Sequence, residues 1–114
     1  MQAEAKALEE LIQHIAIAVH PLQIVLFGSA ARGEITPESD LDILIVMPEG
    51  IHRRRTAQYL YQTISGVKVP FDLLVATPSD LEKHKDNIGL IYRTILREGK
   101  VIYSSREEHQ DRRV

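Results

Sequence analysis

The chain contains no cysteine and no tryptophan, and its aromatic content is only 5%. Without cysteine no thiolate is available, so a metal site would have to be built from harder ligands. No apolar run approaches the roughly 20 residues that a membrane-spanning helix needs, and the N-terminus lacks the basic and apolar regions of a signal peptide. These absences point to a cytoplasmic protein; the lack of cysteine fits that compartment without establishing it. An excess of positive charge is also lacking: 14 Lys and Arg stand against 16 Asp and Glu, for a net charge of -2 and a pI near 6.2. A general nucleic-acid binder gains affinity by neutralising phosphates with a basic face, so direct nucleic-acid binding is not expected and polymerase activity is disfavoured. What remains is 114 residues with 44% hydrophobic content, enough for one compact domain with a real core.

One stretch organises the rest. Ile24 to Phe27 is a short apolar run that stops at Gly28-Ser29, after which Ala30-Ala31-Arg32 can open a short helix. A strand, tight turn and helix start form a natural phosphate site: glycine allows close backbone approach, the first helical N–H groups lack partners, and the Ser29 hydroxyl adds a donor. A polar loop from Glu34 to Ser39 follows, with Pro37 and Ser39 favouring a turn. Then Asp40-Leu41-Asp42 leads into Ile43 to Val46. Side chains alternate along a strand, so Asp40 and Asp42 share a face about 6.5 to 7 Å apart while Leu41 points away. Their mutual repulsion is relieved by a divalent cation, and hard oxygen ligands favour Mg²⁺ or Mn²⁺ over zinc.

Taken singly, a Gly-Ser turn or an acid at a strand end is most often structural. The order of the whole stretch is more demanding, and three competing motifs fail on detail. Gly28 and Gly33 have P-loop spacing, but Glu34 and Ile35 stand where Lys and Ser/Thr are required. An Asp-x-Asp phosphate nucleophile is expected at the end of an apolar strand, whereas here the apolar run follows the pair. An EF-hand loop needs further oxygens where this chain has Ile43 to Val46.

Gly28-Ser29, ten residues (30 to 39), then Asp40-x-Asp42 resembles the signature of minimal nucleotidyltransferases of the DNA polymerase β-like superfamily, which include the antitoxins paired with HEPN ribonuclease toxins. The resemblance covers most of the chain and implies an α/β fold, a mixed sheet with helices. It also implies a nucleotide site of Gly28, Ser29, Arg32 and Ser39, and a third acid on a later strand. One departure is Ala30, where many relatives carry a basic or aromatic residue; weaker triphosphate binding is the expected consequence.

Elsewhere, Leu8, Leu11, Ile12, Ile15, Ala16 and Val19 form the stripe of an amphipathic helix over residues 2 to 19. His14 and His20 read as a surface and a helix-end residue with no chemical role. A second helix is expected from about His52 to Ser65, its apolar face Ala57, Leu60, Tyr61 and Ile64. Arg53-Arg54-Arg55 sits in its first turn, where the helix dipole disfavours cations; a solvated face is the simplest reading, and contact with an acidic partner or a nucleotide's outer phosphates is the functional alternative. In the expected strand Val67 to Ala76, Asp72 is flanked by apolar residues. Either the strand is at an edge, as Pro70 allows, with Asp72 in water, or the carboxylate is protonated, paired or metal-bound. Adjacent strands lie about 4.8 Å apart, so Asp72 beside Asp40 and Asp42 completes a three-carboxylate cluster able to hold two ions about 3.5 to 4 Å apart. The cluster is the expectation adopted here, and the resemblance points the same way.

Thr77-Pro78-Ser79-Asp80 starts a third helix, with Ser79-x-x-Glu82 as a second capping box; it runs toward Gly99, a suitable C-cap, with Leu81, Ile88, Ile91, Ile95 and Leu96 buried and a bend at Gly89. Lys100 to Tyr103 reads as a closing strand. The expected division is a nucleotidyltransferase domain over 1–103 and a charged, frayed tail over 104–114.

The resemblance implies two Mg²⁺ ions, one held by Asp40, Asp42 and Asp72 and one by Asp40 and Asp42, with ATP as the substrate and Asp72 as the base. It further implies a HEPN toxin partner, neutralised by transfer of AMP to a tyrosine hydroxyl, with the acceptor surface on another chain. Two alternatives stay open: a small-molecule nucleotidyltransferase of the aminoglycoside type with a pocket built across a homo-oligomer, and an antitoxin that acts by binding alone.

Overall fold

Short apolar runs, each closed by glycine, proline or charge, supply the strands of this protein. The computed structural model describes residues 2–33, 40–84, 95 and 97–105. In chain order these form helix α1 (Gln2–Val19), strand β1 (Gln23–Phe27), a 3₁₀ turn (Gly28–Ala30), strand β2 (Leu41–Val46), helix α2 (Arg53–Thr63), strand β3 (Phe71–Ala76), helix α3 (Pro78–His84) and strand β4 (Lys100–Ser104). The strands form one sheet in the order β3-β2-β1-β4. β1 is antiparallel to both β2 and β4, and β2 is parallel to β3. A parallel pair needs a crossover, and α2 supplies it.

Both faces of the sheet are covered, which is why β2 reads as an almost unbroken apolar run. Ile24 and Leu26 of β1 and Leu41, Ile43 and Ile45 of β2 alternate onto one face, against Leu11 and Ile15 of α1 and Leu60 of α2. Val25, Leu44, Val46 and Ala76 occupy the other face with Ile95 and Leu81. Burying each large aliphatic side chain of this kind contributes about 1.5–3 kcal/mol. At the end of α1, His20 takes a left-handed φ of 50° and its N–H donates to the Ala16 carbonyl at 3.1 Å, closing the helix before Pro21.

Several local expectations change. α2 starts at Arg53 because His52 is its cap: the Nδ1 atom accepts from the Arg55 N–H at 3.2 Å. Arg53 is not merely solvated, since its guanidinium lies 3.1 Å from the Asp80 carboxylate and ties α2 to α3. The helix start expected at Thr77 to Asp80 does carry its capping hydroxyl: the Asp80 N–H donates to the Thr77 hydroxyl at 3.3 Å and the Thr77 N–H to the Asp80 carboxylate at 3.0 Å, so Thr77 and Asp80 form the capping box. Ser79 instead donates its N–H and hydroxyl to Glu49, at 2.7 and 2.8 Å. β3 is shorter than expected, starting after Pro70, which has no N–H to give to a sheet. Gly99 does end a helical segment, its N–H donating to the Ile95 carbonyl at 2.8 Å, but it is not among the glycines of positive φ. It is small for packing reasons, because a Cβ there would lie 2.7 Å from Val25 Cγ1 and 2.6 Å from the Ile95 carbonyl oxygen.

β4 extends one residue past the expected end, to Ser104, and the Ser105 N–H donates to the Leu22 carbonyl at 3.0 Å. The expectations for Ile88, Gly89, Ile91 and Leu96, and for the tail from residue 106 onward, lie outside the described residues. No helix among the described residues is long and apolar enough to cross a membrane.

Candidate active site

The site is built where β1 ends and where β2 and β3 begin. Phe27, the last residue of β1, faces Asp42 across the antiparallel pair. Gly28 then leaves the strand with φ of 75°, a conformation that strains any residue with a Cβ. A second constraint acts on it: a Cβ added to Gly28 would run into the Asp42 carboxylate. The Gly-Ser turn and the second acid therefore touch, and the two halves of the motif form one place.

The turn is a single 3₁₀ stretch that starts at Gly28 itself, rather than a helix opened by Ala30. Its ladder runs from the Ala31, Arg32 and Gly33 N–H groups to the Gly28, Ser29 and Ala30 carbonyls, each at 3.1 Å. The amides of Gly28, Ser29 and Ala30 lie ahead of that ladder and receive no bond from within it. Ala30 and Ala31 are buried in the core, so the turn is anchored by its apolar residues and offers Ser29 and Arg32 outward. Arg32 is about half exposed and its guanidinium lies 3.6 Å from Glu98, in the segment that leads into β4.

The parallel pairing of β2 and β3 sets the acids. Asp42 is the direct register partner of Asp72, and Leu41 that of Phe71. By alternation, Asp42 shares its face with Leu44, and Asp72 with Leu74, on the side of the sheet away from α1 and α2. β3 is an edge strand and Asp72 is exposed, the edge reading that Pro70 allowed, and it stands in register beside Asp42. Asp40 is exposed just before β2, two residues from Asp42 on the same side.

The three carboxylates are close enough to act on one another's charge. Asp42 is half-buried, and its carboxyl is held above the ordinary carboxylate range, first by burial, then by the charge of Asp72 and that of Asp40. Crowded oxygen donors of this kind suit a hard divalent cation, which removes the repulsion that ionised carboxylates otherwise suffer. Among the described residues no three acid or histidine side chains converge tightly enough to cage an ion as they stand. Neither Asp40 nor Asp72 is fixed by a side-chain hydrogen bond or ion pair among those residues, and both face solvent. The donor set fits such a group by the type of its ligands, while the expected three-carboxylate cage is not closed among the described residues.

Of the sequence-predicted site residues, the fold thus brings together Gly28, Asp42 and Asp72, with Asp40 alongside and Ser29 and Arg32 on the adjoining turn. Ser39 lies outside the described residues. Sequence reasoning missed Glu98, because nothing local marks an acid at the end of a helical segment as the neighbour of an arginine so distant in the chain. It also missed why Tyr61 is half exposed on the apolar side of α2. The Tyr61 hydroxyl accepts from the Leu73 N–H at 2.8 Å and its ring stacks on Phe71 with centroids 5.8 Å apart, so it pins α2 to the strand that carries Asp72.

Comparison with known proteins identifies the fold and the family. A candidate protein adenylyltransferase of Methanocaldococcus jannaschii is 29% identical over 104 residues, which cover 88% of this chain and 98% of that protein. The crystal structure of a candidate nucleotidyltransferase from Sulfolobus solfataricus superposes with a TM-score of 0.58 at 21% identity, over 89% of this chain and 80% of that one. A toxin–antitoxin structure solved with AMP-PNP contains a chain of the same fold, with a TM-score of 0.58 at 21% identity over 90% of this chain and 77% of that one. A family model described as the nucleotidyltransferase domain matches residues 5–102, and the chain belongs to that nucleotidyltransferase family.

Proposed function

We propose that this nucleotidyltransferase moves AMP from ATP to a hydroxyl group of a partner protein, and that the partner is a HEPN-type ribonuclease toxin neutralised by the modification. The observation that carries the site assignment is the contact of the Gly28 backbone with the Asp42 carboxylate, beside its register partner Asp72. It sets a backbone that can approach phosphates against acids that can bind metal and accept a proton. The choice of AMP and of a protein acceptor is supported by the M. jannaschii relative, a candidate protein adenylyltransferase, and by the toxin–antitoxin complex with AMP-PNP.

In this reading the N–H groups of Gly28, Ser29 and Ala30 and the Ser29 hydroxyl donate to the β- and γ-phosphates, and Arg32 adds charge there. Asp40, Asp42 and Asp72 would hold Mg²⁺ or Mn²⁺, which when bound supplies charge neutralisation for the attacking and leaving oxygens. The acceptor oxygen forms a bond to the α-phosphorus while the bond from that phosphorus to the bridging oxygen breaks; pyrophosphate departs with the electron pair. Asp72, exposed at the open edge of the sheet, takes the acceptor's proton. Placement at an edge lets an acceptor carried on another chain reach that carboxylate.

The test is incubation with Mg²⁺ and ATP labelled at the α-phosphate, in lysate from the source cell, with γ-labelled ATP and Asp40→Asn as controls. Label passed to a protein from the α position alone, and reduced at least about a hundredfold in the variant, is the expected result. Transfer from the γ position would identify a kinase-like reaction and overturn the proposal. Unimpaired transfer by Asp40→Asn would overturn the site. Protection of cells from the identified partner by Asp40→Asn would favour blocking by binding over catalysis.

A further inference from the structure

Arg32 belongs to the turn that carries Ser29, its N–H bonded to the Ser29 carbonyl at 3.1 Å, so its guanidinium reaches out from beside the expected phosphate position. One partner there is a carboxylate of this same chain, Glu98, at 3.6 Å. Glu98 is firmly placed. The next residue, Gly99, is wedged against Val25 and bonded to the Ile95 carbonyl at 2.8 Å, and Lys100 pairs with Leu26 of β1. Ile95 itself is 2% exposed. The backbone that follows Glu98 is therefore docked on β1, immediately before the turn that bears Ser29 and Arg32.

The contact is loose where its anchors are tight. Its length exceeds that of a direct hydrogen bond, and the side chains are 49% and 41% exposed. A pair of this kind contributes little to stability, because both charges stay hydrated and both side chains must be ordered. It is well suited to exchange: a polyanion arriving at the turn offers Arg32 a stronger, charge-assisted and bidentate partner than the Glu98 oxygen at 3.6 Å.

We infer that Glu98 is a positioning residue that sets affinity for the triphosphate: it holds Arg32 beside the turn as an internal anion, and the β- and γ-phosphates must displace it. The inference rests on the nucleotidyl-transfer reading given above. It makes nucleotide affinity deliberately modest, since each binding event breaks the Arg32–Glu98 contact and brings a polyanion near a fixed negative charge. It also favours release of pyrophosphate, which competes with the same carboxylate for the same guanidinium.

The test is a calorimetric titration of the full chain with α,β-methylene ATP and, separately, AMP, both with Mg²⁺ at low ionic strength. The wild type is compared with Glu98→Gln, Glu98→Ala, Arg32→Gln and the double variant Arg32→Gln/Glu98→Gln. Both Glu98 variants are expected to tighten the triphosphate analogue about two- to fivefold, with AMP unchanged, and to have no effect once Arg32 is replaced. Unchanged or weaker binding of the analogue in the Glu98 variants overturns the inference. So does equal tightening in the Arg32→Gln background, which would mean a general field effect. If the wild type binds the analogue but the Glu98 variants match it, this inference alone fails; if the wild type binds no triphosphate, the nucleotidyl-transfer reading fails with it.

Discussion

Gly28 and Asp42 show how two side chains, one of them only a hydrogen, can define a site between them. Gly28→Ala meets two penalties at once, a φ of 75° and a collision with the Asp42 carboxylate, and should lower stability by about 1–3 kcal/mol with activity reduced at least tenfold. Gly33→Ala supplies the control: its φ is 82°, and among the described residues nothing lies within 4 Å of the added Cβ, so the backbone term of about 1–2 kcal/mol is what those residues impose. Chemical denaturation of both variants, with the labelled-transfer assay, separates backbone strain from loss of the contact. Asp42 has the opposite character. Its folded-state pKa is raised, by burial first and then by Asp72 and Asp40, so the folded protein holds this proton more tightly than the unfolded chain does. Stability from this group is greatest below the ordinary carboxylate range and falls as pH rises through the raised value. Asp42→Asn should therefore raise Tm by a few degrees at neutral pH in chelating buffer, and Mg²⁺ should raise the Tm of the wild type but not of the variant. A thermal melt with and without Mg²⁺ checks both statements. The acids of the motif were legible because their type and spacing are local. Glu98 was not, because its meaning comes only from a neighbour supplied by the fold.

Helix α2 is held at both ends by contacts that leave no periodic trace. At its start, Arg53 meets Asp80, and Asp80 also accepts from the Thr77 N–H and hydroxyl, each at 3.0 Å. Partial burial by itself would raise the Asp80 pKa, but the bonds from Thr77 and the charge and hydrogen bond of Arg53 outweigh it, and the net direction is downward. A lowered folded pKa adds stability that is complete above the ordinary carboxylate range and is lost as pH falls through the depressed value. Asp80→Asn should cost about 1–2 kcal/mol at neutral pH, and the gap to wild type should close on acidification; urea titrations at two pH values measure it. At the other end, Tyr61→Phe keeps the ring on Phe71 but removes the acceptor for the Leu73 N–H. A loss of about 0.5–1.5 kcal/mol is expected, with Tyr61→Ala costing more because the stack goes too. Both α1 and β2 were readable from pattern, since one carries a 3.6-residue stripe and the other a continuous apolar run. The start of β3 was misread, because Val67 and Val69 look like strand while Pro70 ends the pairing. Arg53 looked solvated because its partner lies on another helix.

The whole molecule is one mixed sheet with the candidate site at the end where two parallel strands begin and an antiparallel one stops. The residues gave the elements, but strand order depends on which strands pair, and no local pattern encodes that; the mixed sheet came from resemblance. Close packing across β1 carries the second face. Gly99→Ala would push a methyl group into Val25 and the Ile95 carbonyl, and should destabilise by about 1–3 kcal/mol and shift β4 against β1, seen as faster amide exchange in both strands. The register of β2 with β3 has a wider consequence. Asp42 faces Asp72 only in one alignment, and a slip by a single residue would send Asp72 to the opposite face with every other side chain of its strand. Turnover is thus a quality mark on each molecule: a misaligned copy is silent, and the fraction of chains that react in a single-turnover experiment counts those whose sheet closed correctly.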